Sequence, residues 1–345
     1  MLLHADTLDL VPRAQELLDR VAGTAPVVPE LVAAQVETVT PPARTVPEAL
    51  ETLAAGRRAL AHAADGLGGL RLACAGAHPF AAGEGELRPG PRYDAIEAEY
   101  GLIARRQLVF ALQVHVAIRP ADRALAVYNA LRGHLPELAA LAAHAPFHGG
   151  RDTGLASIRP TIGGQLPRQG VAPALAGWDA YADALRWVGD PGAWWWELRP
   201  HPVHGTLELR VPDAQATIAD AGAVAAVGHC LAVWLAERHD AGETLAVPET
   251  WRIAENRWSA LRHGLAGDMA DLDTGRREPT SERVERLLGD LGPVAVRLGC
   301  AAQLAHARAL LAAGGPAATL RAAARGDVRA ATAALAERFQ EGIGG

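Results

Sequence analysis

Residues 194–217, WWWELRPHPVHGTLELRVPDAQAT, decide how this chain reads. Charged residues fall on alternate positions: Glu197 and Arg199 before a turn containing Pro202 and Gly205, then Glu208 and Arg210 after it. Alternate residues of an extended strand share a face. The stretch is therefore a hairpin that sets two carboxylates and two guanidiniums on one side. Leu198 with two tryptophans, and Leu207, Leu209 and Val211, take the opposite side.

The same two-faced pattern recurs upstream. In 107–118, QLVFALQVHVAI, the even positions Leu108, Phe110, Leu112, Val114, Val116 and Ile118 form an unbroken apolar face, and the odd ones include Gln113 and His115. In 31–39, LVAAQVETV, Gln35 and Glu37 oppose Ala34 and Val36, and Pro41-Pro42 ends the strand. A short strand is expected near 70–77. Helical periodicity covers 11–23, 46–65, a segment opening at RYDAIEAEYGLIARR, 121–144 and 178–188. From about 214 onward the chain reads as almost wholly helical. Between 144 and 173 lies a Gly- and Pro-rich irregular stretch whose Phe147, Arg151, Asp152 and Arg159 favour a structured loop over a linker. Strands interleaved with helices, then a helical last third, give an α+β architecture in one unit spanning 1–345, with helices on one face of a sheet.

An antiparallel sheet with one solvated face braced by ion pairs would also alternate this way. The residue types argue for more. A plainly solvated face mixes Thr, Ser and Lys, whereas this one carries Glu, His, Gln and Arg. Carboxylates with a histidine or amide suit Mg²⁺, which takes oxygen ligands, and adjacent arginines clamp phosphate or carboxylate bidentately.

Composition narrows the chemistry further. Half the residues are apolar and 21% are charged, an ordinary globular balance. A net charge of −6 argues against a surface built for nucleic acid. No lysine occurs, so all 33 basic side chains are arginine, which excludes a phosphate-loop lysine and a Schiff-base lysine. Cys74, Cys230 and Cys300 are far apart and odd in number, suggesting neither a disulfide framework nor a cysteine metal site. His201 and His204 stand in H-x-x-H spacing, but a turn does not fix zinc-ligand geometry as a helix would. No basic leader and no apolar run of roughly 20 residues is evident, so the expectation is a soluble cytoplasmic protein without membrane contacts.

These segments resemble the bacterial carboxylate–amine ligases related to type 2 glutamate–cysteine ligase. The resemblance is collinear over nearly the whole chain. It rests on QVETVTPPARTVPEAL (35–50), VHVAI (114–118), APFHGGRDTGLASIR (145–159), ELRPHPVHGTLELRVPDAQ (197–215), ENRWSALRHGL (255–265) and LGC (298–300). It implies a glutamine-synthetase-like fold: an antiparallel sheet funnel with helices outside. It also implies an ATP- and Mg²⁺-dependent reaction in which a carboxylate is activated as an acyl phosphate and captured by an amine. Weak glutamate–cysteine ligase activity is the specific expectation, on an amino-acid carboxylate and an amine, with a homodimer as the suggested assembly. By the same resemblance Glu208, Glu37 and His115 would hold metal and nucleotide, Arg199 and Arg210 would clamp phosphate or carboxylate, and Arg151 and Arg159 would meet substrate. Gln35, Gln113 and Asn256 are further candidates for substrate or nucleotide contacts, although an amide in a strand or helix can equally serve as a brace.

The chain departs from the family pattern in two places. Family members open with a strand carrying a G-x-E-E-E run of metal-binding carboxylates, and LLHADTLDLVP matches the residues just after it. Either the start lies further upstream or the metal shell is incomplete. The family's HVHVG reads QVHVA here, with Gln113 in place of the first histidine and Ala117 in place of the glycine. These changes motivate a rival reading, a relative that binds nucleotide or amino acid without turnover. A phosphotransferase on the same sheet architecture is a second rival.

Overall fold

The computed structural model describes residues 1–81, 83–190 and 194–343. Strand β1 (Leu2–His4) leads through helix α1 (Ala14–Val21) to a hairpin of β2 (Val27–Pro29) and β3 (Val36–Thr38). Helix α2 (Val46–Leu67) begins where Thr45 accepts a hydrogen bond from the Glu48 amide, with Pro47 in the first turn, and stops at Gly68 with φ +68°. It delivers the chain to β4 (Leu70–Leu72), which pairs antiparallel with β1. Helices α3 (Pro91–Tyr100) and α4 (Leu102–Arg105) precede β5 (Val114–Val116), and α5 (Ala121–Leu131) and α6 (Leu135–Ala142) follow it. The irregular stretch contains a small hairpin, β6 (Phe147–His148) with β7 (Arg151–Asp152), and a short helix α7 (Arg159–Gly163).

Helix α8 (Trp178–Val188) leads to the hairpin of β8 (Leu198–His201) and β9 (Thr206–Leu209), which with β5 forms a three-stranded antiparallel sheet in the order β5-β9-β8. The remainder comprises α9 (Ile218–Asp240), α10 (Thr250–His263), a hairpin of β10 (Asp268–Ala270) and β11 (Arg277–Pro279), then α11 (Thr280–Arg297), α12 (Ala301–Ala312), α13 (Pro316–Ala324) and α14 (Val328–Arg338). The main core lies between the apolar face of that sheet (Val116, Leu198, Leu207, Leu209) and helices α5, α6, α9, α11 and α12. Leu207 and Leu209 are almost wholly buried, each contributing about 2 kcal/mol of transfer free energy. Gly228 of α9 lets the helix sit directly on the sheet, because a Cβ there would lie 2.6 Å from Leu209 Cδ1.

The α+β architecture and most helix positions agree with the sequence reading, but three expected strands are shorter, that near 70–77 being only Leu70–Leu72. Only Val114–Val116 of 107–118 is regular strand. The amides of Phe110 and Leu112 donate to the carbonyls of Gly76 and Pro212, and Pro212 has no N–H with which to continue a ladder. Residues 31–35 likewise bond to several segments rather than one neighbour: the Leu2 amide donates to Ala34, the Ala14 amide to Ala33, and the Ala33 amide to Glu86. The β10–β11 hairpin interrupts the C-terminal region expected to be helical, its turn closed by Asp271 accepting from Thr274 and by Gly275 at φ +76°. Helix α9 also corrects the expectation that no stretch is long and apolar enough to span a membrane. By length and composition it passes, and 72% of that stretch is buried inside the protein.

Candidate active site

The hairpin's alternation places three polar residues in one cross-strand row. In the sheet register His115 of β5 lies opposite Glu208 of β9, which lies opposite Arg199 of β8. Glu208 is fully buried. Arg199 donates through Nε to Glu208 Oε2 at 2.6 Å, and Arg210, two residues further along the same face, donates to Oε1. His115 Nε2 stands 3.8 Å from Oε1, and its Nδ1 is 2.9 Å from the Thr206 hydroxyl. Burial works against the Glu208 charge, but Arg210 and Arg199 more than offset it and hold the carboxyl below its usual range. Burial lowers the His115 pKa, so this imidazole is neutral at pH 7.

Beside this row opens a cleft of about 330 Å³, within the range of small-molecule sites. Arg210 belongs to both, holding Glu208 while lining the cleft. The other lining groups include Glu30, Gln35, Glu37, Gln113, Arg159 and Glu197. Arg159, at the start of α7, is oriented by Asp213 (2.6 Å from Nε) and by the Val211 carbonyl. Asp213 also accepts from the His144 amide at 2.6 Å, and it sits so close to Gly76 that a Cβ there would lie 2.5 Å from its carboxyl carbon. Glu197 is gripped by Arg257 of α10 through Nε and a terminal nitrogen, at 2.6–2.8 Å. Trp195 lines the cleft mouth, contacted by the Tyr100 ring and the Arg168 guanidinium.

Glu37 behaves oppositely to Glu208. Burial, reinforced by the charge and hydrogen bond of Glu30, pushes its carboxyl up to about 8. The Glu30 and Glu37 carboxyls in the cleft, near the amides of Gln35 and Gln113, form an oxygen-rich set suited to a hard divalent cation. Glu208 and His115 fit that role poorly as arranged. Both Glu208 oxygens are engaged by arginines, and among the described residues no group of three His, Cys, Asp or Glu side chains is disposed to hold a metal.

The structure thus brings Gln35, Glu37, Gln113, Arg159 and Arg210 together on the cleft, with Glu208, Arg199 and His115 adjoining it through Arg210. Two candidates lie elsewhere. Arg151 is exposed on β7 and does not line the cleft, because the β6–β7 hairpin turns it outward and ties its neighbour Asp152 to Arg321. Asn256 is buried on α10, its amide bonded in both directions to the backbone of Ala270 at 2.7 Å, so it pins the β10 strand. Two site residues escaped the sequence reading. Glu30 needed the β2 strand, which three residues, VVP, do not announce. Arg257 stands next to Asn256 in ENRW, and its helical position gives no sign that it reaches Glu197, just before β8 and 60 residues away.

Comparison with known proteins agrees with this architecture. The family model described as glutamate-cysteine ligase family 2 (GCS2) matches residues 8–334. A relative in Thermobifida fusca named "Putative glutamate--cysteine ligase 2" is 37% identical over 316 residues, covering 88% of this chain and 79% of that protein. Another in Rubrobacter xylanophilus, "Putative glutamate--cysteine ligase 2-3", is also 37% identical, covering 88% of this chain and 84% of that one. Among solved structures, a glutamate–cysteine ligase of Francisella tularensis in complex with AMP superposes with a TM-score of 0.71 at 10% sequence identity, over 100% of this chain and 88% of that one. At that identity the likeness concerns the fold.

Proposed function

Since the chain belongs to glutamate–cysteine ligase family 2, we propose that it is an ATP-dependent carboxylate–amine ligase that joins glutamate to cysteine, with residues 1–345 acting as one catalytic unit. The observation that carries this reading is the division of charge on one cleft. Arg159 and Arg210 are there for anions, and the Glu30–Glu37 pair is there for a cation.

In this reaction a carboxylate oxygen of glutamate attacks the terminal phosphorus of ATP and ADP leaves. The cysteine nitrogen then attacks the acyl carbon, the carbon–oxygen bond breaks, and phosphate departs. Negative charge develops on the transferred phosphoryl group, and a positioned guanidinium stabilises it without reorganisation. Arg210 is suited to this because Glu208 fixes its geometry. Arg159 is held by Asp213 in the same way. Glu30 and Glu37 would hold Mg²⁺, which would supply charge neutralisation for the phosphates. The amine must be uncharged to attack, and neutral His115, which adjoins the cleft through Glu208 and Arg210, would accept its proton.

The test is Mg²⁺-dependent phosphate release from ATP with glutamate and a panel of amines that includes cysteine. Stoichiometric ADP, phosphate and a dipeptide are expected. ATP binding without phosphate release in any combination would replace the ligase reading by a nucleotide-binding relative. A phosphorylated end product would indicate a phosphotransferase.

A further inference from the structure

Cys230 and Cys300 are 70 positions apart in sequence, yet their Sγ atoms lie 3.5 Å apart. Cys230 is on α9 and Cys300 is the residue immediately before α12, and both side chains are fully buried in the main core. Cys74, the remaining cysteine, lies apart on the cleft and is half-buried. A disulfide needs its sulfurs about 2.05 Å apart, so closure asks for about 1.5 Å of combined side-chain movement.

We infer that Cys230 and Cys300 are an oxidisable dithiol, a modification site at which a peroxide-class oxidant forms an intramolecular disulfide joining α9 to α12. The way in is the turn between α11 and α12, where Gly299 is exposed at φ +67° directly before Cys300. Local opening of such a turn costs far less than global unfolding. Cys300 is the attacking sulfur. The contact with Cys230 lowers its pKa, whereas that of Cys230 is raised.

In the first step the Cys300 thiolate attacks one peroxide oxygen, the O–O bond breaks, and the departing hydroxide is protonated to water, leaving a sulfenic acid. In the second the Cys230 sulfur attacks the sulfenic sulfur. The S–S bond forms, the S–O bond breaks, and the hydroxide leaves with the Cys230 proton as a second water. Overall two thiols lose two electrons and one peroxide gains them. This chemistry is independent of the ligase activity proposed above. Its consequence is a cross-link behind the sheet, since α9 also carries Gly228, which rests on Leu209 next to Glu208.

The test treats the folded full chain with hydrogen peroxide, removes the peroxide, denatures in the presence of excess alkylating agent so that buried thiols are also blocked, and maps peptides without reductant. The expected result is a linked Cys230–Cys300 species about 2 Da lighter than its two reduced peptides combined. A dithiol reductant should reverse it, and Tm should rise by about 5 °C in the oxidised form. A C230S variant should instead accumulate a sulfenic acid on Cys300 that dimedone traps, with no linked species. The inference is overturned if both residues stay alkylatable under conditions that oxidise Cys74, or if Cys300 proceeds to sulfinic acid in the native chain without forming the link.

Discussion

Glu208 and Glu37 are the same residue type on one polar surface, and their surroundings drive them apart. Glu208 sits between two guanidiniums, so its charge is stabilised despite burial. Glu37 meets Glu30 instead, so it holds a proton up to about pH 8. Removing one partner of a buried, hydrogen-bonded ion pair costs more than the pair contributes, because the other charge stays behind. E208Q is therefore expected to lower stability by about 3 kcal/mol, read as a reduced urea midpoint, and to abolish phosphate release as Arg210 loses its anchor. A Glu208 serving only as a metal ligand would leave the metal-free urea midpoint unchanged in E208Q.

Helix α10 shows how much one element can do that its sequence conceals. Its Arg257 grips Glu197 in the cleft, its Asn256 pins β10, and its Arg262 donates to the Gly154 carbonyl on the irregular loop. Asn256 in ENRW reads either as a substrate or nucleotide contact or as a brace, and the structure makes it a brace for the hairpin at 268–279 that the sequence reading missed. N256A removes the Asn256 partner of the Ala270 N–H and leaves the Ala270 carbonyl only the 3.4 Å contact from Arg283, and it should cost about 2 kcal/mol in a denaturation experiment. The affinity for a fluorescent ATP analogue should be unchanged. A weakened affinity in N256A would restore the nucleotide-contact reading. The strands that carry the site were visible as elements, but their lengths were not. Hydrogen bonds from 107–112 and 31–35 are shared among several neighbours, which leaves no trace in the residues themselves.

At the scale of the whole molecule, buried titrating groups pull the pH dependence of stability in opposite directions. His78 is held neutral by burial, with its pKa lowered to about 4; its Nε2 donates to the Leu8 carbonyl and its Nδ1 accepts from the Phe80 and Ala81 amides. A base with a depressed folded pKa contributes stability above its unfolded value of 6.5, and that stability is lost as pH falls through 4. Glu37 has the reverse sign. An acid with a raised folded pKa contributes below its unfolded value of 4.5 and loses that contribution as pH rises through about 8. E37Q, which fixes the neutral form, should gain stability relative to the native chain as pH increases from about 5, levelling off above about 8. Melting both proteins across that range checks it. A constant Tm difference would mean that Glu37 ionises normally.

The sequence by itself determined the α+β architecture, the helix positions and the faces of the strands, because periodicities of 2 and 3.6 residues express burial locally. It also determined that arginine alone supplies fixed cationic groups, and through the shared motifs it pointed to the family. Only the tertiary structure decided which charges meet. Glu208 between Arg199 and Arg210, Glu37 beside Glu30, Glu197 in the grip of Arg257 and Cys230 against Cys300 are contacts set by strand register and helix packing. Alternation fixes the side of a strand on which a residue lies. Which partner lies opposite depends on segments tens of residues away, and that partner decides whether a carboxyl is a charged anchor or a proton carrier.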